Sequence, residues 1–197
     1  MRSLRVVTYP TQEIVTLAEA KAWAKVDTTA DDAIVAILIR AMREHAESLT
    51  GRALVSRSLE LRMDAFPGGA GAIELPHPPL SAVDYITYID GDGAEQTLEG
   101  SPTQWQLDTV SEPGRVTPLH GESWPSTKGD TLGAVRVGFT CGYTSMQSVP
   151  ATARLWMQAR LATYYNLREQ IIAGVDSLPR DFVDGLLDEL IVRKRFA

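Results

Sequence analysis

The stretch VDYITYIDGDGAEQTLE, residues 83–99, decides how the middle of the chain folds. Its first part, Val83 to Asp90, is rich in Tyr and Ile, which are typical strand residues. Asp90-Gly91-Asp92-Gly93 predicts a hairpin turn, because Gly and Asp tolerate positive φ. Gln96 to Glu99 would be the returning strand. The stretch therefore predicts a β-hairpin.

Short segments on both sides of this hairpin alternate apolar and polar side chains, the period of two typical of half-buried strands. The apolar positions are, in chain order, Leu59, Leu61 and Met63; Ile73 and Leu75; Trp105 and Leu107; and Val135, Val137 and Phe139. Gly- and Pro-rich turns separate them. Residues 54–144 are therefore expected to form a small antiparallel β region, either a sandwich or barrel-like.

Two helices are predicted before the β region, after an extended arm of about fifteen residues. Thr16 lies three residues before Glu19, the spacing of a capping box, and this helix would extend to Val26. The second helix is expected from about Asp31 to Leu49. Gly51 follows it and suits a left-handed C-terminal cap.

The second helix is apolar on more than one side. One stripe follows helical spacing and consists of Ile34, Ile37, Leu38, Ala41 and His45. Val35, Ile39 and Met42 are also apolar but lie off this stripe. A helix that is apolar most of the way round is buried on more than one side.

Helices return after the β region. Ser148 is a candidate N-cap, and Pro150 suits a first turn. An apolar stripe follows, made of Val149, Ala153, Trp156, Met157, Tyr164, Leu167 and Ile171. A last helix would start near Ser177 and Pro179. We therefore predict an α+β fold, with residues 1–53 and 145–197 forming one helical domain and residues 54–144 inserted as a β domain.

Composition favours a globular protein that does not bind the phosphates of nucleic acid. The chain has 197 residues, a formal net charge of −6 and one cysteine, Cys141. A protein that clamps DNA phosphates usually presents a basic face, whereas the only basic run here is Arg193-Lys194-Arg195. No signal sequence or membrane span is predicted, and a single cysteine suits a reducing cytoplasm.

No catalytic, metal or cofactor motif is found. His45, His77 and His120 are scattered and match no zinc-binding spacing. Cys141 is interpreted as a small buried residue at the end of a strand rather than as a nucleophile. Asp90-Gly91-Asp92-Gly93 lacks the later oxygen ligands of a calcium loop. We therefore expect a protein without enzymatic activity.

Several segments, taken in order, resemble the head–tail connector (adaptor, head-completion) family of tailed bacteriophages, which also occurs in gene transfer agents. They are Val15–Lys21, Asp31-Asp32, Thr50–Leu54, Leu75-Pro76, Pro79-Leu80, Pro113–Arg115, Trp124-Pro125, Gly142-Tyr143, Val149-Pro150, Tyr165–Glu169 and Leu178-Pro179. Two positions depart from the family pattern. Asp188-Glu189-Leu190 stands where relatives often carry a Pro-Tyr-Arg-like segment, and Cys141 replaces a small Ala-like residue.

The resemblance implies a structural ring of twelve subunits in the virion neck, assembled in the bacterial cytoplasm. Such a ring would dock below the portal protein, extend the DNA channel without binding DNA specifically, and offer a platform to the next neck protein, a stopper. It implies no cofactor and no membrane contact.

Two sets of residues are candidate contact sites in such a ring. The predicted ring interface comprises Val35, Ile39, Met42, Trp156, Tyr164, Tyr165 and Arg168. The predicted portal-docking arm comprises Val192, Arg193, Lys194, Arg195 and Phe196. The alternative for the arm is a frayed, solvated C-terminus.

Other functions stay open at this point. The chain could be a different neck or tail component, such as a stopper or a tail terminator. Less favoured hypotheses are a small hydrolase that uses Cys141 and His120, and a ligand-binding β domain with helical flanks.

Overall fold

The computed structural model describes residues 2–167, 183 and 185–192. The chain divides into two compact units. The β unit contains Met1–Pro10 and Ser56–Gly142, and the helical unit contains Thr11–Val55 and Tyr143–Ala197. Helices and antiparallel sheets thus coexist in one chain, which confirms the predicted α+β class.

The β unit holds two antiparallel sheets. The five-stranded sheet has, from edge to edge, β1 (Arg2–Thr8), β2 (Arg57–Met63), β8 (Val135–Cys141), β4 (Leu80–Ile89) and β5 (Glu95–Leu98). The three-stranded sheet has β3 (Ile73–Leu75), β7 (Gly114–Pro118) and β6 (Trp105–Asp108), in that order. The strands predicted from alternation are all present, and the hairpin predicted for residues 83–99 joins β4 to β5.

The alternation of side chains explains the core of the β unit. Leu59 lies opposite Phe139 and Leu61 opposite Val137 in the β2–β8 ladder. These four side chains are buried. Successive strand residues point to opposite faces, so one face of the sheet is apolar and the other carries the intervening polar residues.

Two strands were not predicted. The N-terminal segment, expected to be an arm beside the helices, forms β1 and pairs with β2. Residues 1–10 therefore lie in the β unit and not with residues 11–53. The physical reason is a strand partner that lies 50 to 61 residues away in the sequence. The segment at Gly114 forms β7, which pairs with β3 and β6.

The helical unit contains α1 (Leu17–Ala24), α2 (Asp32–Thr50) and α3 (Ala151–Leu167). Thr16 and Glu19 form the predicted capping box at the start of α1. Gly51 adopts a left-handed conformation with φ 72° and caps α2. These local predictions succeed because caps depend on hydrogen bonds between residues three or four apart.

The apolar stripe of α2 that contains Ile34, Ile37 and His45 is not the buried face of the helix within the subunit. Ile37 is 69% exposed, and Ile34 and His45 are also exposed. The buried face is formed by Val35, which is fully buried, and by Ile39, Met42 and Ala46. Both stripes have helical spacing, so the choice between them depends on where the other helices pack rather than on the periodicity.

The C-terminal region is described in part. A single-turn 3-10 helix, Met146–Ser148, precedes α3. A second 3-10 helix spans Gly185–Leu190, where the sequence predicts the end of an α-helix, and it buries Leu187 and Leu190. The start of that predicted helix, with Ser177 and Pro179, lies outside the described residues.

Candidate assembly surfaces

The helices α2 and α3 are antiparallel and are joined at both ends. The Tyr165 hydroxyl donates a hydrogen bond to Asp31 at the start of α2. Near the other end, His45 stacks on Trp156 with 5.6 Å between the ring centroids. The guanidinium of Arg160 lies 5.8 Å from the same indole, a cation–π contact. These contacts give the helix pair a fixed alignment.

The structure separates the predicted ring-interface residues into two groups. Val35, Ile39, Met42 and Trp156 are buried in the core of the helical unit itself. Tyr164 is exposed, and Tyr165 is half-buried where it donates to Asp31. Arg168 lies outside the described residues. The interface role of all seven stays a prediction.

Apolar side chains that the helical unit leaves exposed are candidates for the same role. Those on the helices and their ends are Leu17, Trp23, Ile34, Ile37, Leu49, Leu155, Tyr164 and Ile191. Ile34 and Ile37 lie on α2 beside an exposed ion pair, in which Arg40 Nε is 2.9 Å from Glu44 Oε1. We name Ile34 and Ile37 the α2 surface. An apolar patch rimmed by charges is typical of a protein contact.

A buried arginine organises the inner side of α2. Arg43 Nε donates to Glu13 at 2.7 Å, and its Nη1 donates to Glu47 at 2.9 Å. Burial would lower the pKa of Arg43, but the hydrogen bond to Glu13 and the charges of its carboxylate neighbours outweigh burial and raise it. Glu47 also accepts from the Leu54 amide at 2.8 Å. The network fastens the segments before α1 and after α2 to α2.

The turn after α2 holds the chain that leads to the predicted docking arm. The Thr50 carbonyl oxygen accepts a hydrogen bond from the Val192 amide at 2.8 Å. Buried Arg52 donates from Nε to the Leu190 carbonyl at 2.5 Å. A Cβ on Gly51 would contact Val192 at 3.6 Å. We name residues 50–52 the C-terminal anchor. Of the predicted arm, Val192 is described, and residues 193–196 lie outside the described residues.

The polar face of the five-stranded sheet is organised around Glu60. Its carboxylate accepts from the Tyr85 hydroxyl at 2.7 Å and from Arg62 Nε at 2.6 Å. Burial acts to raise the pKa of Glu60, but these hydrogen bonds and the charges of Arg62 and Arg5 outweigh burial and lower it. Burial and the bond to Glu60 raise the pKa of Tyr85 to about 12.

Cys141 and Asp90, whose side chains could take part in chemistry, occupy structural positions. Cys141 is fully buried at the end of β8. Asp90 holds the hairpin turn, since its Oδ1 accepts from the amides of Asp92 and Ala94. His120 is exposed. Across residues 2–167, 183 and 185–192, no group of three or more His, Cys, Asp or Glu is arranged to hold a metal ion.

Within the same part of the chain, no helix combines the length and the apolar character that crossing a bilayer requires. The features that can be assigned are therefore surfaces and anchors: the α2 surface, the C-terminal anchor and the polar sheet face.

Comparisons with known proteins show what the chain is similar to. Residues 14–100 match the family model described as phage gp6-like head-tail connector protein. The structure is similar to a chain in the neck of an empty gene transfer agent particle computed with C6 symmetry, with a TM-score of 0.79 and 25% identity. That match covers 98% of this chain and 97% of the other.

Two further structures match at the same identity and with the same coverage. They are the virion of a native gene transfer agent particle, with a TM-score of 0.78, and the neck of a native particle computed with C12 symmetry, with a TM-score of 0.76. No curated protein sequence is similar enough to match. The resemblance expected from the sequence is confirmed.

Sequence reasoning missed the C-terminal anchor and the Glu60–Tyr85 contact. From the sequence, Thr50-Gly51-Arg52 indicates only a helix end and part of the family pattern. Its partner, Leu190, is 138 residues away in the chain. Glu60 carried one usable signal, a charged residue inside an alternating strand, but nothing in the sequence identifies Tyr85 as its partner.

Proposed function

We propose that this chain, which matches the head–tail connector family and shares its fold with a neck subunit of gene transfer agents, is a structural head–tail connector. It would occupy the neck of a tailed phage or a phage-like particle, at the junction of head and tail. The observation that carries the proposal is the match to neck structures over nearly the whole of both chains, 98% and 97%.

The proposed assembly is a ring of copies of this chain. The similar neck structures were computed with C6 and C12 symmetry, which supports a closed ring of six or twelve positions. We propose twelve copies. The exposed apolar residues of the α2 surface would be buried against a neighbouring copy, because oligomer contacts bury apolar patches that a monomer would expose.

The proposed partners are the portal protein above the ring and a stopper or other neck protein below it. The C-terminal anchor supports the portal contact, because it holds Leu190 and Val192 directly before the basic run Arg193-Lys194-Arg195. Arginine pairs well with carboxylates, and Phe196 supplies an apolar tip. The arm would dock on an acidic and apolar site of the portal.

DNA would pass through the ring without specific contacts. A net charge of −6 in each copy supports this, because like charges repel the phosphate backbone. The proposed role is structural and involves no catalysis. The full burial of Cys141 supports that position, because a nucleophilic thiol has to reach its substrate.

A genetic experiment tests the position in the neck. Particles made without this chain should have DNA-filled heads and no attached tails, and the wild-type chain should restore tail attachment. The Cys141→Ala variant should restore it equally, which separates a structural role from the hydrolase hypothesis. Normal tailed particles in the absence of the chain would rule the proposed position out.

A further inference from the structure

We propose that neighbouring copies in the ring join their five-stranded sheets edge to edge, with β1 of one copy beside the open part of β4 in the next. The inference rests on the proposed ring and adds the surface through which it closes. It concerns the β unit alone and commits to one occupant, a second copy of this chain.

The first edge is open because β5 is shorter than β4. In the β4–β5 ladder, Ile86–Ile89 face Leu98–Glu95. The preceding half of β4, Leu80 to Tyr85, pairs with β8 on one side, with register shifts at Ser81 and at Asp84, and no described strand pairs with it on the other. Its outward amide and carbonyl groups are available for a further strand.

A groove of about 520 Å³ runs along this open half of β4. It is lined by Ser81–Tyr85, by Thr97–Ser101, and by Trp105 and Leu107 of β6. Trp105 is only 4% exposed, and among the described residues its indole nitrogen has no hydrogen-bond partner. Adding a strand to such an edge combines main-chain hydrogen bonds with side-chain pockets.

The second edge is β1, which ends the sheet on the opposite side. Six of its seven residues pair with β2, with a register shift at Val7, and among the described strands β1 is paired along one side only. Leu4 and Val7 are exposed large apolar residues, as is Tyr9 just beyond the strand. A long apolar edge strand is an association site unless something covers it.

The two edges carry opposite charge. Residues 2–8 contain Arg2 and Arg5 and no carboxylate. Residues 80–101 contain no Lys or Arg. They contain five carboxylates, which are Asp84, Asp90, Asp92, Glu95 and Glu99. Arg136 pairs with Glu95 at 3.4 Å and offsets part of this charge. The remaining excess favours the basic strand and disfavours contact between two acidic edges.

The sheet order also suits a ring. A cyclic assembly with more than two members needs a heterologous contact between two different surfaces, and this sheet has two different edges. Antiparallel order gives β1 the direction opposite to β4. Rotation about the ring axis preserves a strand's direction along that axis. With strands inclined along the axis, β1 of a neighbour therefore meets β4 antiparallel and continues the sheet pattern.

Cross-linking between two kinds of copy tests this contact. One copy carries Val7→Cys in β1 and the other carries Ser81→Cys on β4; Cys141 is fully buried and leaves a low background. The two are mixed with the portal protein of the particle, so that rings can form, and treated with a short bismaleimide. The proposal predicts a cross-linked dimer in the mixture and none with either copy alone.

A control pair of cysteine variants shows whether the cross-link is specific to the two edges. Leu132→Cys is highly exposed and lies outside both edges, so its mixture with the Ser81→Cys copy should give no dimer. Dimers of the Val7→Cys copy with itself would overturn the inference in favour of a symmetric contact. Rings on the portal without the mixed dimer would overturn the inference and leave the proposed function standing. Absence of any ring would overturn both.

A charge exchange keeps the test independent of cysteine placement. Asp84→Lys with Glu99→Lys, both at exposed positions, should reduce ring yield on the portal. Adding Arg2→Glu to that variant should recover part of the yield, since one carboxylate of β1 then faces the two new lysines in place of an arginine. Loss without recovery, in a chain that keeps its circular dichroism spectrum, would contradict the charge pairing.

Discussion

The hydroxyl of Tyr85 on β4 donates a 2.7 Å hydrogen bond to Oε2 of Glu60 on β2, across the intervening strand β8. Gly138 lies between them in register, opposite Glu60 on one side and Tyr85 on the other. The tyrosine reaches Glu60 because Gly138 has no side chain. One hydrogen bond thus connects the two strands that flank β8.

Replacing Gly138 by alanine should therefore destabilise the β unit. An added Cβ would lie 2.2 Å from Cε1 of Tyr85 and would displace the ring. Overpacking of this kind costs about 1–3 kcal/mol, and loss of the bond to Glu60 adds to it. Urea denaturation should show a lower midpoint for Gly138→Ala.

Gly68→Ala is the matched control, because nothing lies within 4 Å of its Cβ position. A second change, Tyr85→Ala, should make Gly138→Ala less damaging, since the clash is then removed. Equal loss with and without Tyr85 would contradict the proposed cause.

Stability should fall in acid partly through Glu60. Its pKa is lowered in the folded chain, so its contribution is fully present above the unfolded value near 4.5 and is lost as the pH falls through the lower folded value. Glu60→Gln should be less stable near neutral pH and should lose less stability below pH 4.5. Denaturant midpoints measured across this range provide the check. An unchanged acid slope in Glu60→Gln would show that other carboxylates dominate.

Arg52→Ala should loosen the C-terminal anchor. It removes a buried donor to the Leu190 carbonyl, and a buried acceptor left without its partner costs about 1–3 kcal/mol. Limited proteolysis should cut within residues 185–192 faster in this variant, and binding to the portal should weaken. Arg115→Ala removes an exposed pair with Asp108 in the β unit and should change neither result. Unaltered proteolysis in Arg52→Ala would argue against the anchor.

Ile37→Glu should reduce ring formation without unfolding the chain. Ile37 is largely exposed in the isolated subunit, so a charge there is tolerated until another copy must cover it. Native mass spectrometry of the variant with the portal should show fewer bound copies. Val110→Glu, at another exposed apolar residue, is the control. Full rings with Ile37→Glu would remove the α2 surface from the interface.

Local signals made much of the fold predictable. The Asp90-Gly93 turn, the capping box of Thr16 and Glu19, and the Gly51 cap each depend on residues within a few positions of one another. Alternation identified β2, β6 and β8, because a sheet with one buried face requires it. Each of these features is found where the sequence predicts it.

Features that depend on distant partners could not be predicted in the same way. Strand β1 forms because β2 offers an edge, and α2 buries Val35 rather than Ile34 because of where α3 packs. The anchor joins Arg52 to Leu190 through a main-chain carbonyl, a group that every residue carries. Neither periodicity nor residue type holds that information.

Electron microscopy of the purified chain mixed with its portal protein tests the central claim most directly. The account predicts a closed ring of copies, twelve in number, stacked on the tail-facing end of the portal. Portals that stay bare while the chain remains a monomer in the same sample would contradict it.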